Sequence, residues 1–137
     1  MSKLFALSIA IPAIAAITAC NGPHSFKKAE DPEEAGTEFV RAALDGNYEK
    51  ASFYLYPDST DKVMFSKWKK DYDRMSAEEQ QKYKDASIRP IEIKKINDTV
   101  TNYTFTNSYK QDTTTLRIIR VNGDWLVDLE EILYHHR

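Results

Sequence analysis

The sequence predicts an α+β fold, with helices first and then a curved antiparallel meander of four strands on which those helices pack. Three observations predict it. Between Asp31 and Lys84 apolar residues recur at helical spacing, and from Ile88 onward they alternate with polar ones, the period of a half-buried strand. Asn122-Gly123, the dipeptide of a two-residue hairpin turn, separates the last two apolar runs. Helices followed by a run of strands belong to an α+β domain and not to a parallel α/β one.

Each element has its own local reason. Asp31-Pro32-Glu33-Glu34 starts a helix: Asp31 can cap it, Pro32 suits its first turn, and the carboxylates suit the positive end of its dipole. That helix carries Phe39, Val40, Ala43 and Leu44 on one side and stops at Asp45-Gly46. A short second helix over Asn47 to Leu55 places Tyr48, Ala51 and Leu55 at helical spacing, and Tyr56-Pro57 ends it. A third begins near Ser59 to Asp61, and its Phe65, Trp68, Tyr72 and Met75 form an amphipathic stripe. Ser76-Ala77-Glu78-Glu79 is a capping-box pattern that predicts a further helical stretch to about Lys84.

The strands follow. Ile91 and Ile93 alternate with Glu92 and Lys94 up to Asn97-Asp98, which predicts that both isoleucines face inward. Tyr103, Phe105 and Tyr109 form the inward set of the next run, which ends at Gln111-Asp112. Thr113 to Val121 carries Leu116, Ile118, Ile119 and Val121, with a bulge expected where the alternation slips. After Asn122-Gly123, Trp125, Val127 and Leu129 alternate with Leu126 and Asp128 in the final strand.

This order resembles the cone-shaped fold of nuclear-transport-factor-like proteins, ketosteroid isomerases and many small exported lipoprotein domains. Two stretches carry the likeness. EFVRAALDGNYEKASFYL is similar to that superfamily's first helix, turn and short second helix, and LRIIRVNGDWLVD to its last hairpin. A cystatin-like domain with a helix on a sheet is the nearest alternative. The resemblance implies a sheet that wraps the helices and leaves a mouth able to hold a ligand.

The chain begins MSKLFALSIAIPAIAAITA, with one positive charge at Lys3, an apolar run and small residues at its end: the pattern of a secretory signal over residues 1–19. A spanning helix needs about 20 apolar residues, and this run is shorter and broken by Pro12. Ile17-Thr18-Ala19-Cys20 resembles the lipobox of bacterial lipoproteins, which implies cleavage between Ala19 and Cys20 and lipidation of the Cys20 thiol. Two or three acyl chains would then make attachment stable, since each buried methylene contributes ~0.8 kcal/mol. An ordinary signal peptide beside an unmodified cysteine is the competing reading. Asn21 in place of aspartate after the cysteine implies, by the same resemblance, an outer-membrane location. The acidic cluster Glu30, Asp31, Glu33 and Glu34 lies some ten residues past Cys20, and resemblance to Bacteroidota-type lipoproteins, whose surface-export signals sit closer to the cysteine, implies a domain that faces the periplasm. Cys20 is the only cysteine, so the exported domain has no internal disulfide and depends on its core. Residues 20–31 are polar and read as the lipidated cysteine and its tether, and residues 32–137 as one small domain.

The 137 residues carry a formal net charge of −2, and removing Lys3 with the signal makes it −3. That gives no footprint for nucleic acid. In SKWKKDYDR the lysines are interleaved with Asp71 and Asp73, which reads as a solvated helix face. Asn97 and Asn102 both begin glycosylation sequons, but turn and strand chemistry account for them.

No Ser/His/Asp order, phosphate loop or metal-ligand spacing emerges, so no catalytic residue, metal or cofactor is expected. His135 and His136 would point to opposite faces of a strand, and His24 lies in the tether. The aromatic residues Tyr48, Trp68, Tyr72, Tyr103, Phe105 and Trp125 are the candidates for lining a pocket, against the plainer reading that they fill the core. Tyr54, Tyr56 and Tyr109 belong to the same set. The acids Glu92, Asp98, Asp112, Asp124 and Asp128 fall at exposed alternation positions or turns, and among them Asp128, which shares its face with Leu126, is the least implausible general base. The expected function is a membrane-anchored envelope lipoprotein, non-enzymatic, whose tethered domain binds a partner protein or a small apolar ligand. A small isomerase- or hydrolase-like enzyme using the cone cavity is the alternative.

Overall fold

The computed structural model describes residues 25–135 of the chain. Four helices, α1 (Pro32–Leu44), α2 (Tyr48–Phe53), α3 (Ser59–Asp73) and α4 (Ala77–Asp85), precede four strands, β1 (Ile88–Asn97), β2 (Val100–Asn107), β3 (Thr113–Val121) and β4 (Asp124–His135). The strands form one antiparallel sheet in the order β1-β2-β3-β4, an open meander with β1 and β4 at its edges. The predicted class and element order therefore hold.

The helix ends are set by local chemistry. Asp31 accepts from the Glu34 amide at 2.8 Å, Asp58 from Thr60 at 2.7 Å and Ser76 from Glu79 at 3.1 Å, each satisfying an otherwise orphaned donor. After α1 the chain turns through Gly46 at φ +73°, the Gly46 amide donates to the Ala43 carbonyl, and the Asn47 amide donates to that of Ala42. This is a Schellman end. Asn47 at once caps α2 by accepting from the Lys50 amide. Asn122 and Gly123 both adopt positive φ, 51° and 83°, the type I′ turn that joins β3 to β4.

The core lies between the helices and one face of the sheet. Ala35, Phe39 and Val40 of α1 pack with Ala51, Tyr54 and Leu55, with Tyr103 and Phe105 of β2, with Leu116 and Ile118 of β3, and with Val127 and Leu129 of β4. Tyr103 sits directly under α1: its hydroxyl meets Thr37 Oγ1 at 2.9 Å, and its ring fills the space above Gly36. The β4 edge is covered. Leu55 bridges Val127 in parallel, with Tyr56 N donating to Val127 O at 2.8 Å and Val127 N to Tyr54 O at 2.7 Å.

Four expectations need correcting. Ile91 and Ile93 do not enter the core; they are 56% and 40% exposed. Ile93 pairs with Tyr103 and so lies on the helix-covered face, but of the β1 side chains only Ile88 packs against the core. Tyr109 is not on a strand, because β2 ends at Asn107, whose side chain accepts from the amides of Tyr109 and Lys110 and turns the chain. The irregularity expected in β3 is a long insertion in β4 instead: Thr115 pairs with Leu133 but Arg117 with Asp128. Finally, the end of the expected tether is docked. Phe26 packs on Phe53 with ring centres 5.7 Å apart, Tyr54 Oη donates to Lys27 O at 2.6 Å, and Lys28 pairs with Asp124 at 3.3 Å.

Candidate functional site

A cavity of about 300 Å³ opens between the helices and the sheet. Val40, Ala43 and Leu44 of α1, with Phe105 and Leu116 of the sheet, form its apolar floor, and Tyr48, Trp68, Tyr72 and Tyr83 form its sides. Its volume is at the lower end of small-ligand sites. Trp68 and Tyr72 reach it because they sit one turn apart on α3. Ring contacts set the walls: Tyr48 meets Phe65 at 5.5 Å and Tyr72 at 5.7 Å, both edge-to-face, and Phe39 meets Trp68 at a tilt, 6.2 Å between centres.

Arg41 holds the α4 wall. Its guanidinium donates to the carbonyl oxygens of Ala86 at 2.6 Å, Lys84 at 3.1 Å and Tyr83 at 3.2 Å, and to Asp45 at 2.9 Å. A cation thus caps the carbonyl end of α4, where the helix dipole favours it. Tyr83 is held further by the Tyr109 ring, edge-on at 4.9 Å, over which the Lys82 and Lys110 ammonium groups stand.

Four of the six predicted lining residues, Tyr48, Trp68, Tyr72 and Phe105, meet at this cavity. Tyr103 does not reach it, since it lies fully buried beneath α1. Trp125 lies elsewhere, against Arg120 at 5.5 Å and beside a recess of about 60 Å³ formed with Phe53 and Tyr54. Cys20, Ala19, His24 and His136 lie outside the described residues. Another hollow, of about 330 Å³ and lined by Arg89, Asn107, Gln111 and Asp112 among others, is polar.

The chemistry available at the cavity is that of tyrosine hydroxyls. Burial, followed by the nearby carboxylates Asp45 and Asp73, raises the Tyr72 pKa; burial also raises those of Tyr48 and Tyr83. These groups stay protonated at neutral pH and act as hydrogen-bond donors, not as bases. Tyr72 Oη is buried with no partner among the described residues. Asp71, at the rim, is the one carboxylate on the wall among the described residues, and it is exposed.

A carboxyl pair lies apart from the cavity. Asp61, in the first turn of α3, is fully buried and accepts from the Leu129 amide at 3.1 Å. Its Oδ2 has no donor among the described residues, and the carboxylate of Asp128 stands beside it. Burial, then the Asp128 charge and a shared hydrogen bond, push the Asp61 pKa up to about 7. Asp128 is itself buried, not at the exposed position expected of the strand acids, and its Oδ1 accepts from the Glu130 amide at 3.0 Å. The sequence marked Asp128 but passed over Asp61, because an aspartate in a helix's first turn is ordinary there. Only the packing of α3 on the β4 edge makes it a partner. Neither acid lines the cavity: seven residues separate Asp61 from Trp68, about 10 Å along α3.

Among the described residues no helix is long and apolar enough to cross a membrane, and no group of three or more metal-ligating side chains forms. No protein-family model, curated protein or solved structure significantly matches the chain.

Proposed function

We propose that this chain is a lipid-anchored protein of a bacterial cell envelope whose single cone-like domain binds a small apolar ligand without transforming it. The observation that carries the binding half is the aromatic wall of the cavity, with donor hydroxyls at its sides and, among the described residues, no buried acid or base on it. The anchoring half rests on the lipobox-like Ile17-Thr18-Ala19-Cys20 after an apolar leader. Asn21 supports the outer membrane, with the domain facing the periplasm. The order of helices and meander supports kinship with the cone-shaped superfamily over the cystatin-like alternative, because four helices, not one, precede the sheet. The enzyme alternative needs an acid or base at the ligand; the group with a pKa near neutrality, Asp61, lies about two turns of α3 away.

Two measurements test the proposal. Labelled palmitate should enter the wild-type protein and not Cys20→Ser, which should leave the membrane; an acylated, membrane-bound Cys20→Ser refutes the anchor. An environment-sensitive apolar dye such as N-phenyl-1-naphthylamine should light up on the wild-type protein. Trp68→Ala should weaken that binding about tenfold, a change of about 1.4 kcal/mol. Trp125→Phe should leave it unchanged. Equal effects of the two tryptophan variants, or no dye binding, refute the cavity as the site.

A further inference from the structure

The two edges of the sheet are treated differently. At the β4 edge, residues 54–56 bond Val127 on both main-chain groups, and Asp61 takes the Leu129 amide. Along β1 no main-chain group bonds outward to another described element. Three of the four large exposed apolar side chains of the described domain lie there: Ile91, Ile93 and Ile96, at 56%, 40% and 50%. Irregularities at Pro90/Glu92 and Lys95/Asn97 bracket a regular stretch, Glu92 to Lys95, that pairs in step with Thr104 to Thr101 of β2.

From this pattern we propose that β1 is the seam of a homodimer, in which the β1 strands of two copies pair antiparallel about a two-fold axis at Ile93 and join two sheets into one of eight strands. Charge selects the occupant and the register. Residues opposite each other in an antiparallel pair share a face, so a two-fold axis must pass beside a residue that meets its own copy. Centred on Glu92, the register sets glutamate against glutamate; centred on Lys94, it sets lysine against lysine. Centred on Ile93, it sets Ile93 against Ile93 of the second copy on the helix-covered face. On the other face Glu92 meets Lys94 of the second copy, twice. Ile91, in the irregular step that flanks this stretch, then comes near Lys95 of the second copy, whose methylene stem can cover it. Lysine, proline and bulges usually guard an edge strand against pairing. Here Pro90 and both irregularities fall outside the regular stretch, and the charges within it match a second copy of themselves.

The test is sedimentation of the full chain in detergent, together with charge reversal. The wild type should dimerise below ~100 µM. Glu92→Lys and Lys94→Glu should each raise the dissociation constant about tenfold, since each turns two attractive cross-strand pairs into repulsive ones. An equimolar mixture of the two variants should recover dimers, as heterodimers with both pairs restored. In a Cys20→Ser background, Ile93→Cys should form an intermolecular disulfide under mild oxidation, because directly opposed residues are 4.5–5.5 Å apart at Cα. Glu92→Cys and Lys94→Cys should not. A monomer at ~100 µM overturns the proposal, as does a dimer indifferent to both reversals. Failure of the mixture to recover, or cross-linking at position 92 or 94 in preference to 93, overturns the register and the proposal with it. Both charged side chains are exposed, so circular dichroism of each variant should match the wild type.

Discussion

Replacing Asp61 by asparagine should make this protein more stable at neutral and alkaline pH. In the unfolded chain Asp61 ionises near 3.8; in the folded protein it does so near 7, because it is buried beside Asp128. Between those values the folded state keeps a proton that the unfolded state releases. Each rise of one pH unit in that window therefore lowers stability by about 1.36 kcal/mol through this group. Across the window of about three pH units the loss comes to about 4 kcal/mol, and it is complete once pH exceeds the folded value. Asparagine keeps an oxygen to accept from the Leu129 amide at 3.1 Å and adds an amide donor toward Asp128, with no proton to lose. Urea unfolding followed by circular dichroism at pH 5, 6, 7 and 8 should show the stability difference between Asp61→Asn and wild type growing with pH, by about 2–4 kcal/mol over the range. Asp128→Asn should shallow the wild-type slope without abolishing it, because burial, the larger cause, remains. A difference that stays flat between pH 5 and 8, or that favours wild type as pH rises, refutes the protonated, buried state of Asp61.

Two further substitutions test how the site is framed. Gly36→Ala would place a Cβ 2.8 Å from Tyr103 Cδ1 and 2.9 Å from Cγ, and the Thr37 hydrogen bond holds that ring in place. The helix-propensity gain of about 1 kcal/mol from glycine to alanine should therefore be outweighed by overpacking of about 1–3 kcal/mol; a melting temperature equal to or above wild type would contradict this. Arg41→Ala removes bonds to the Tyr83 and Lys84 carbonyls of α4 and to that of Ala86 just after it, and should lower amide-exchange protection across residues 77–85, with a stability loss of about 1–3 kcal/mol. Arg41→Lys should not restore it, since one ammonium cannot match the guanidinium fork; α4 amides protected as in wild type would refute the cap.

By itself the sequence determined the elements of this protein and their order. Asp31, Ser76, Asp45-Gly46 and Asn122-Gly123 act on their own neighbours through hydrogen bonds or backbone freedom that span only a few residues, so their effects were legible locally. The stripe from Phe65 to Tyr72 marked one side of α3 for burial, and Trp68 and Tyr72 do line the cavity. Tertiary structure decided what each marked face met. Alternation placed Ile93 on the inner face, but only the tertiary packing leaves it 40% exposed while Tyr103, its partner across the pair, is fully buried. Periodicity assigned Tyr103 and Trp68 to the same aromatic set, and the crossing of α1 over β2 put one in the core and the other on the cavity wall. Asp61 and Asp128 stand 67 positions apart in the chain, and their shared environment exists only because α3 docks its first turn against β4. A period records which side of an element is apolar; the identity of the neighbour on that side depends on contacts between residues far apart in the chain.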